Sequence, residues 1–216
     1  MTLWVYGWAG AAARALGRGA AGEPLRAVRV GPGLFAIAGE VPRPLRGTVA
    51  VLKAQDRVVR RLQSRLLAVV PARFGGAVKG PEALRQATAG REEALQRALH
   101  ELRGKVQMTA RGLVAPGARP TLPPLPKAPG ARHLARVARR ISVPELVAVR
   151  DDYARFVHRE LLERSATPPL AWTAHHLVDR RVLRGYRAAL RRAAARAGYE
   201  VVITGPHPPY AFVSEI

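Results

Sequence analysis

Residues 114–130, VAPGARPTLPPLPKAPG, hold Pro116, Pro120, Pro123, Pro124, Pro126 and Pro129. Proline lacks a backbone donor and clashes with the turn before it, so no helix or central strand survives that density. The stretch predicts a stiff spacer of polyproline character. It divides the chain into residues 1–113 and 131–216, each long enough for a small domain. A second reading takes Pro123 to Pro126 as a ligand for SH3-type grooves.

Upstream of the spacer, Leu3-Trp4-Val5-Tyr6-Gly7 reads as a strand. Residues 9–22 are small and glycine-rich, a loop or a short helix turn over 11–16. Val28-Arg29-Val30 and Leu34 to Ala38 flank Gly31-Pro32-Gly33, which predicts a hairpin. From Asp56 the period changes: Val58, Val59, Leu62, Leu66 and Val69 recur at helical spacing with arginines between them. Val69 to Gly76 contains Pro71 and ends in two glycines, the pattern of an edge strand. Gly80-Pro81-Glu82 opens another helix. Gly90 breaks it, and Leu95, Ala98, Leu99 and Leu102 form the stripe of the next, which Gly104 ends. Residues 105–111 alternate as a strand.

Downstream, residues 131–141 form a basic helix, and Ser142-Val143-Pro144-Glu145 has the spacing of a capping box. The helix it opens is expected to carry Leu146, Val149, Tyr153, Phe156 and Leu161 on one face. Trp172 to Val178 reads as a strand. Val182, Tyr186, Leu190, Ala193 and Ala197 stripe the following helix, and Tyr199 to Thr204 is a β-branched strand. The fold class is α+β: an N-terminal mixed α+β domain and a C-terminal domain of modified ferredoxin-like type with extra helices.

Of 216 residues, 36 are Lys or Arg and 15 are Asp or Glu, a net charge of +21. Such a surface attracts nucleic acid, anionic lipid or an acidic protein. The arginines are spread through every expected helix, and few aromatics stand among them for base stacking. That favours solvated helix faces over a dedicated nucleic-acid surface. No segment approaches the length of about 18 apolar residues that a membrane helix needs, and the opening 16 residues lack the pattern of a signal peptide. Both point to a soluble chain. Cysteine is absent, which removes disulfides, thiolate catalysis and cysteine zinc sites.

Catalysis requires an activated group with an orienting partner. His175 and His176 sit in an expected strand, so they point to opposite faces and cannot share one metal. His158 and Glu160 fall in the expected helix, two apart and on different faces. Asp151-Asp152 and His100-Glu101 suit a helix start and a helix end. No phosphate-loop, dinucleotide, zinc-protease or serine-elbow motif occurs. Gly75-Gly76 lacks the Lys-Ser/Thr that would make it a phosphate loop. No RNA- or DNA-binding signature appears.

An ordered set of segments resembles the gas vesicle protein F/L family. Val69-Val70-Pro71-Ala72-Arg73-Phe74-Gly75, followed by Gly104-Lys105-Val106-Gln107-Met108, is similar to the family's VLPMRFG-like stretch and GKVEW-like strand. The ending Gly205-Pro206-His207-Pro208-Pro209-Tyr210-Ala211-Phe212-Val213 is similar to its GPWPPYSFV. Leu3 to Gly7 and Phe35 to Val41 resemble its first two strands. His207, Ala211 and Gln107-Met108 depart from the usual Trp, Ser and Glu-Trp.

The resemblance covers nearly the whole chain. It implies an N-terminal domain over 1–113, a linker over 114–130 and a C-terminal ferredoxin-like domain with its tail over 131–216. It implies a minor vesicle component or assembly factor in the cytoplasm, contacting the gas vesicle shell protein and other accessory proteins. It implies no enzyme activity, no catalytic residues and no cofactor. Arg73, Phe74 and Gly75, with Pro208, Pro209, Tyr210 and Phe212, are then the candidate interface. The competing reading has them pin strand ends. A nucleic-acid-binding protein with Arg-rich helices is the alternative function.

Overall fold

Leu3, Trp4, Val5 and Tyr6 are all buried although neighbours in a strand point to opposite faces. Their strand, β1 (Thr2–Ala9), is therefore covered on both sides. It pairs antiparallel with β3 (Leu34–Val41), which pairs antiparallel with β2 (Leu25–Gly31), the expected hairpin. On its other edge β1 takes two short strands, β4 (Val70–Pro71) and β5 (Ala77–Val78). Pro71 thus lies in a marginal strand, where a missing donor is tolerated.

One face of this sheet packs on α1 (Val49–Arg65) through Val58 and Leu62, with Trp4, Tyr6 and Ile37 opposite. The helix starts a full turn and more before its expected start at Asp56. Thr48 caps it, accepting from the Val51 amide at 3.3 Å. Periodicity missed that start because Val49 and Leu52 are exposed, so the buried stripe begins only later. On the other side α2 (Gly80–Thr88) packs against β1 and β2, and α3 (Glu92–Glu101) reaches β4. Both carry glutamates in the first turn, where the helix dipole favours them.

The second sheet is antiparallel, in the order β7-β8-β6-β9. Its strands are β6 (Lys105–Leu113), β7 (Val157–Arg164), β8 (Leu170–Asp179) and β9 (Glu200–His207). One face, with Val106, Met108, Ala110, Trp172 and Ala174, packs on Tyr186, Leu190, Ala193 and Ala194 of α6 (Leu183–Arg196). Between β6 and β7 come α4 (Pro129–Ile141) and the short α5 (Asp151–Ala154). Gly112 pairs with Trp172 across β6 and β8. A Cβ on Gly112 would lie 2.1 Å from the indole, so glycine is what lets the ring lie over the strand.

The computed structural model describes residues 1–12, 15–114, 126–141, 143, 146, 149–165 and 167–213. It divides into two compact units, Met1–Gly104 with Pro208–Ile216, and Lys105–His207. These bounds differ from the expected 1–113 and 131–216. β6 was expected in the first domain, but its ladder partners are β8 and β9. The terminal segment was expected in the second and groups with the first. Pairing partners far away in sequence decide both assignments. The proline-rich residues 115–125 lie outside the described residues. So do residues 13 and 14 of the alternative helix turn, and Ser142, Pro144 and Glu145 of the expected capping box.

A second correction concerns residues 157–164, expected to continue a helix to Leu161. They form β7, antiparallel to β8. The apolar spacing that suggested a helix slips to five residues at its last step, and strand pairing overrides the helix propensity of Glu, Leu and Arg. Among the described residues, no helix is long and apolar enough to cross a membrane.

Candidate functional site

Two of the sequence motifs meet in the first unit. The turn after β4 and the terminal segment line one open depression of about 870 Å³. β1 contributes Trp8, α1 contributes Leu52, Gln55 and Asp56, β4 and the turn after it contribute residues 70–76, and Arg91 and Leu95 close one side. Tyr210 and Val213 complete it.

The motif residues divide by exposure. Phe74 is half-buried, its ring edge-on to Trp4 with centroids 5.1 Å apart. Trp4 is in turn fixed by its indole N–H, which donates to the buried Gln55 side chain at 3.0 Å. Pro208, Pro209 and Phe212 are buried. Arg73 and Gly75 are exposed, and Tyr210 is 39% exposed. Gly75 has φ +96°, a conformation in which a side chain is strained. Backbone geometry thus accounts for that glycine.

Tyr210 reaches α1, its hydroxyl donating to Asp56 at 3.4 Å. Burial, then the Asp56 charge and its hydrogen bond, push the phenol well above its ordinary range. Asp56 also accepts from Arg60 at 2.6 Å. The Arg91 guanidinium stands 5.9 Å from the Trp8 ring. Leu52, 44% exposed, sits on the rim. Sequence reasoning missed Trp8, Leu52 and Arg91. The available signal was Val49 and Leu52, apolar residues ahead of the buried stripe that had no partner in the periodic pattern.

His158 and Glu160 stand in a strand and not in the expected helix. Glu160 and His176 are cross-strand neighbours on β7 and β8. The His176 Nε2 is 2.7 Å from Glu160 Oε2, and Nδ1 is 2.6 Å from the Tyr186 hydroxyl. Tyr153 donates to the same carboxylate oxygen at 3.1 Å, and Arg150 pairs with the other at 3.1 Å. One tautomer satisfies every group: Nε2–H donates to Glu160, and Nδ1 accepts from Tyr186. Burial pushes the Glu160 carboxyl up, but His176, Tyr153 and Arg150 outweigh it and hold it below its ordinary value. Burial pushes both tyrosines well up. His176 and Tyr186 are wholly buried, and Glu160 and Arg150 reach the surface in part.

His175 points the other way, to Gln107 and Thr109 at 3.2 and 3.1 Å, and burial lowers its pKa. The two adjacent imidazoles have separate partners, as strand alternation requires. Among the described residues, no group of three or more His, Asp or Glu is placed to hold a metal.

Over residues 2–214 the chain matches the sequence profile of a family described as gas vesicle synthesis protein GvpL/GvpF. The crystal structure of gas vesicle protein GvpF from Microcystis aeruginosa superposes with a TM-score of 0.73 at 13% identity, covering 99% of each chain. GvpF from Anabaena sp. PCC7120 gives 0.73 at 12% identity, covering 100% of this chain and 99% of that one. At these identities the likeness is one of fold, a mixed α+β chain with two antiparallel sheets. No curated protein sequence matches the chain.

Proposed function

Because the chain belongs to the gas vesicle synthesis protein GvpL/GvpF family, we propose that it is a non-enzymatic assembly component that binds the hydrophobic shell protein through the depression of its first unit. The observation that carries this reading is the meeting of the Arg73-Phe74-Gly75 turn, Leu52 and Tyr210 around one open concavity. A shell that keeps liquid water out needs a strongly apolar inner surface. Its subunits aggregate before assembly unless that surface is covered. A concavity with exposed Leu52 and Tyr210, rimmed by Asp56 and Arg91, is suited to cover it transiently. We place the protein in the cytoplasm at the growing vesicle, with other accessory proteins as further partners.

We read the second unit as a ferredoxin-like domain with extra helices. Its strand order, with helices between β6 and β7 and between β8 and β9, supports that reading. We assign no catalytic residue or cofactor to either unit. The buried relay around His176 reads as a core network.

Capture of the protein by immobilised shell protein tests the interface. Phe74→Ala, Tyr210→Ala and Leu52→Ser are compared with the wild type, each checked by thermal unfolding. Tyr210→Ala and Leu52→Ser should stay folded and lose capture. Unchanged capture by folded variants removes the depression as the interface.

A further inference from the structure

Arginine is spread over this chain, but α6 treats it differently from the helices of the first unit. In α1 Arg60 pairs with Asp56, in α2 Arg85 with Glu82, and in α3 Arg97 with Glu93. Each of those helices answers part of its own charge one turn away. Between Asp179 and Glu200 the sequence holds seven arginines and no acidic residue. Arg196 reaches out of α6 to Asp152, and Arg187 donates to the Gly205 carbonyl at 2.7 Å. Arg184, Arg191 and Arg192 are exposed and make no hydrogen bond or ion pair with the described residues.

These cations share a face. At about 100° per residue, Arg184, Arg191 and Arg192 fall within an arc of about 100°, and Arg184 to Arg192 spans about 12 Å of helix. The buried residues Tyr186, Ala189, Leu190, Ala193 and Ala194 occupy the opposite side. Arg184 also stands at the positive end of the helix dipole, and the first turn of α6 holds no acidic residue to offset it. That placement works against the helix's own stability, so the fold does not explain it.

We propose that the outward face of α6 is a docking surface for an acidic segment of a partner protein. Its complement is a short run of carboxylates, which guanidinium forks pair with two bonds at a time. Nucleic acid fits less well. The helix's single aromatic, Tyr186, is wholly buried, and no base can stack on it. The surface belongs to the second unit and does not depend on the depression of the first.

The test measures binding of a short oligoglutamate peptide, and of duplex DNA of matched charge, at low and physiological salt. The triple variant Arg184→Ala/Arg191→Ala/Arg192→Ala is compared with Arg43→Ala/Arg46→Ala/Arg57→Ala, which removes the same charge from exposed positions elsewhere. The single reversal Arg191→Glu serves as a milder second probe, and circular dichroism checks each fold. The α6 triple should lose about tenfold or more in peptide affinity, the control less than about twofold, and Arg191→Glu should fall between them. Equal losses in the two triples overturn the proposal, because net charge alone then explains binding. So do absence of peptide binding by the wild type, and tighter binding of DNA that depends on the same arginines.

Discussion

Glu160 and His176 face each other across β7 and β8 with 2.7 Å between carboxylate and imidazole, and the imidazole is fully buried. The pair joins four elements. Tyr153 of α5 and Tyr186 of α6 bond to it from the helical layer, and Arg150 closes the outer side. A polar network this well satisfied rigidifies a core, and a half-satisfied one weakens it.

Glu160→Ala should therefore cost more than an ordinary surface change. It strands the His176 N–H and the Tyr153 hydroxyl, a loss of about 3 kcal/mol. Glu160→Gln keeps an acceptor and should cost about half as much. Urea unfolding of the wild type and both variants measures the difference. Equal, negligible losses would show that the network contributes nothing.

The same pair sets a pH dependence. The Glu160 carboxyl lies below its ordinary value of 4.5 in the folded chain. As pH falls, the unfolded chain takes up this proton first, so stability declines with acid. The contribution is fully present above the ordinary value and is lost as pH drops through the lower, folded-state one. Unfolding free energies measured between about pH 6 and pH 3 should fall more steeply for the wild type than for Glu160→Gln.

Gly112→Ala should disrupt the second unit. The new methyl would meet Trp172, which is completely buried and has no room to retreat. A loss of about 3 kcal/mol is expected, in the range of severe overpacking. Trp fluorescence and near-ultraviolet circular dichroism should report a displaced indole. Gly112→Ala with Trp172→Leu should recover part of the loss.

Gly75→Ala isolates backbone strain from crowding. Nothing lies within 4 Å of the Cβ it would add, while φ is +96°. The expected cost is about 1 kcal/mol, without a change in packing. A melting temperature lowered by a few degrees, with unchanged near-ultraviolet signal, is the expected result.

Much of the fold was legible from periodicity. The hairpin around Gly31-Pro32-Gly33, the stripes of α1, α3 and α6, and the strands at Lys105 and Trp172 all stand near where the pattern put them. Each has a strong local period and a local stop. β7 was not legible, because Val157 to Arg164 lies at the sheet's edge, half-exposed, and carries no clean alternation. Misreading it as a helix also hid Glu160, which in a strand stands directly opposite His176.

What the chain determined locally is the kind and order of most elements, since helix and strand periods, caps and breakers act within a few residues. Charge, too, was plain from composition. Tertiary structure alone decided that β6 pairs forward with β8 and β9, that Tyr210 and Val213 return to line a depression beside Phe74, and that His176 is locked while Arg184, Arg191 and Arg192 stand unanswered. These are contacts between residues far apart in sequence. Which of them form depends on how whole faces bury together, and no window of neighbouring residues carries that information.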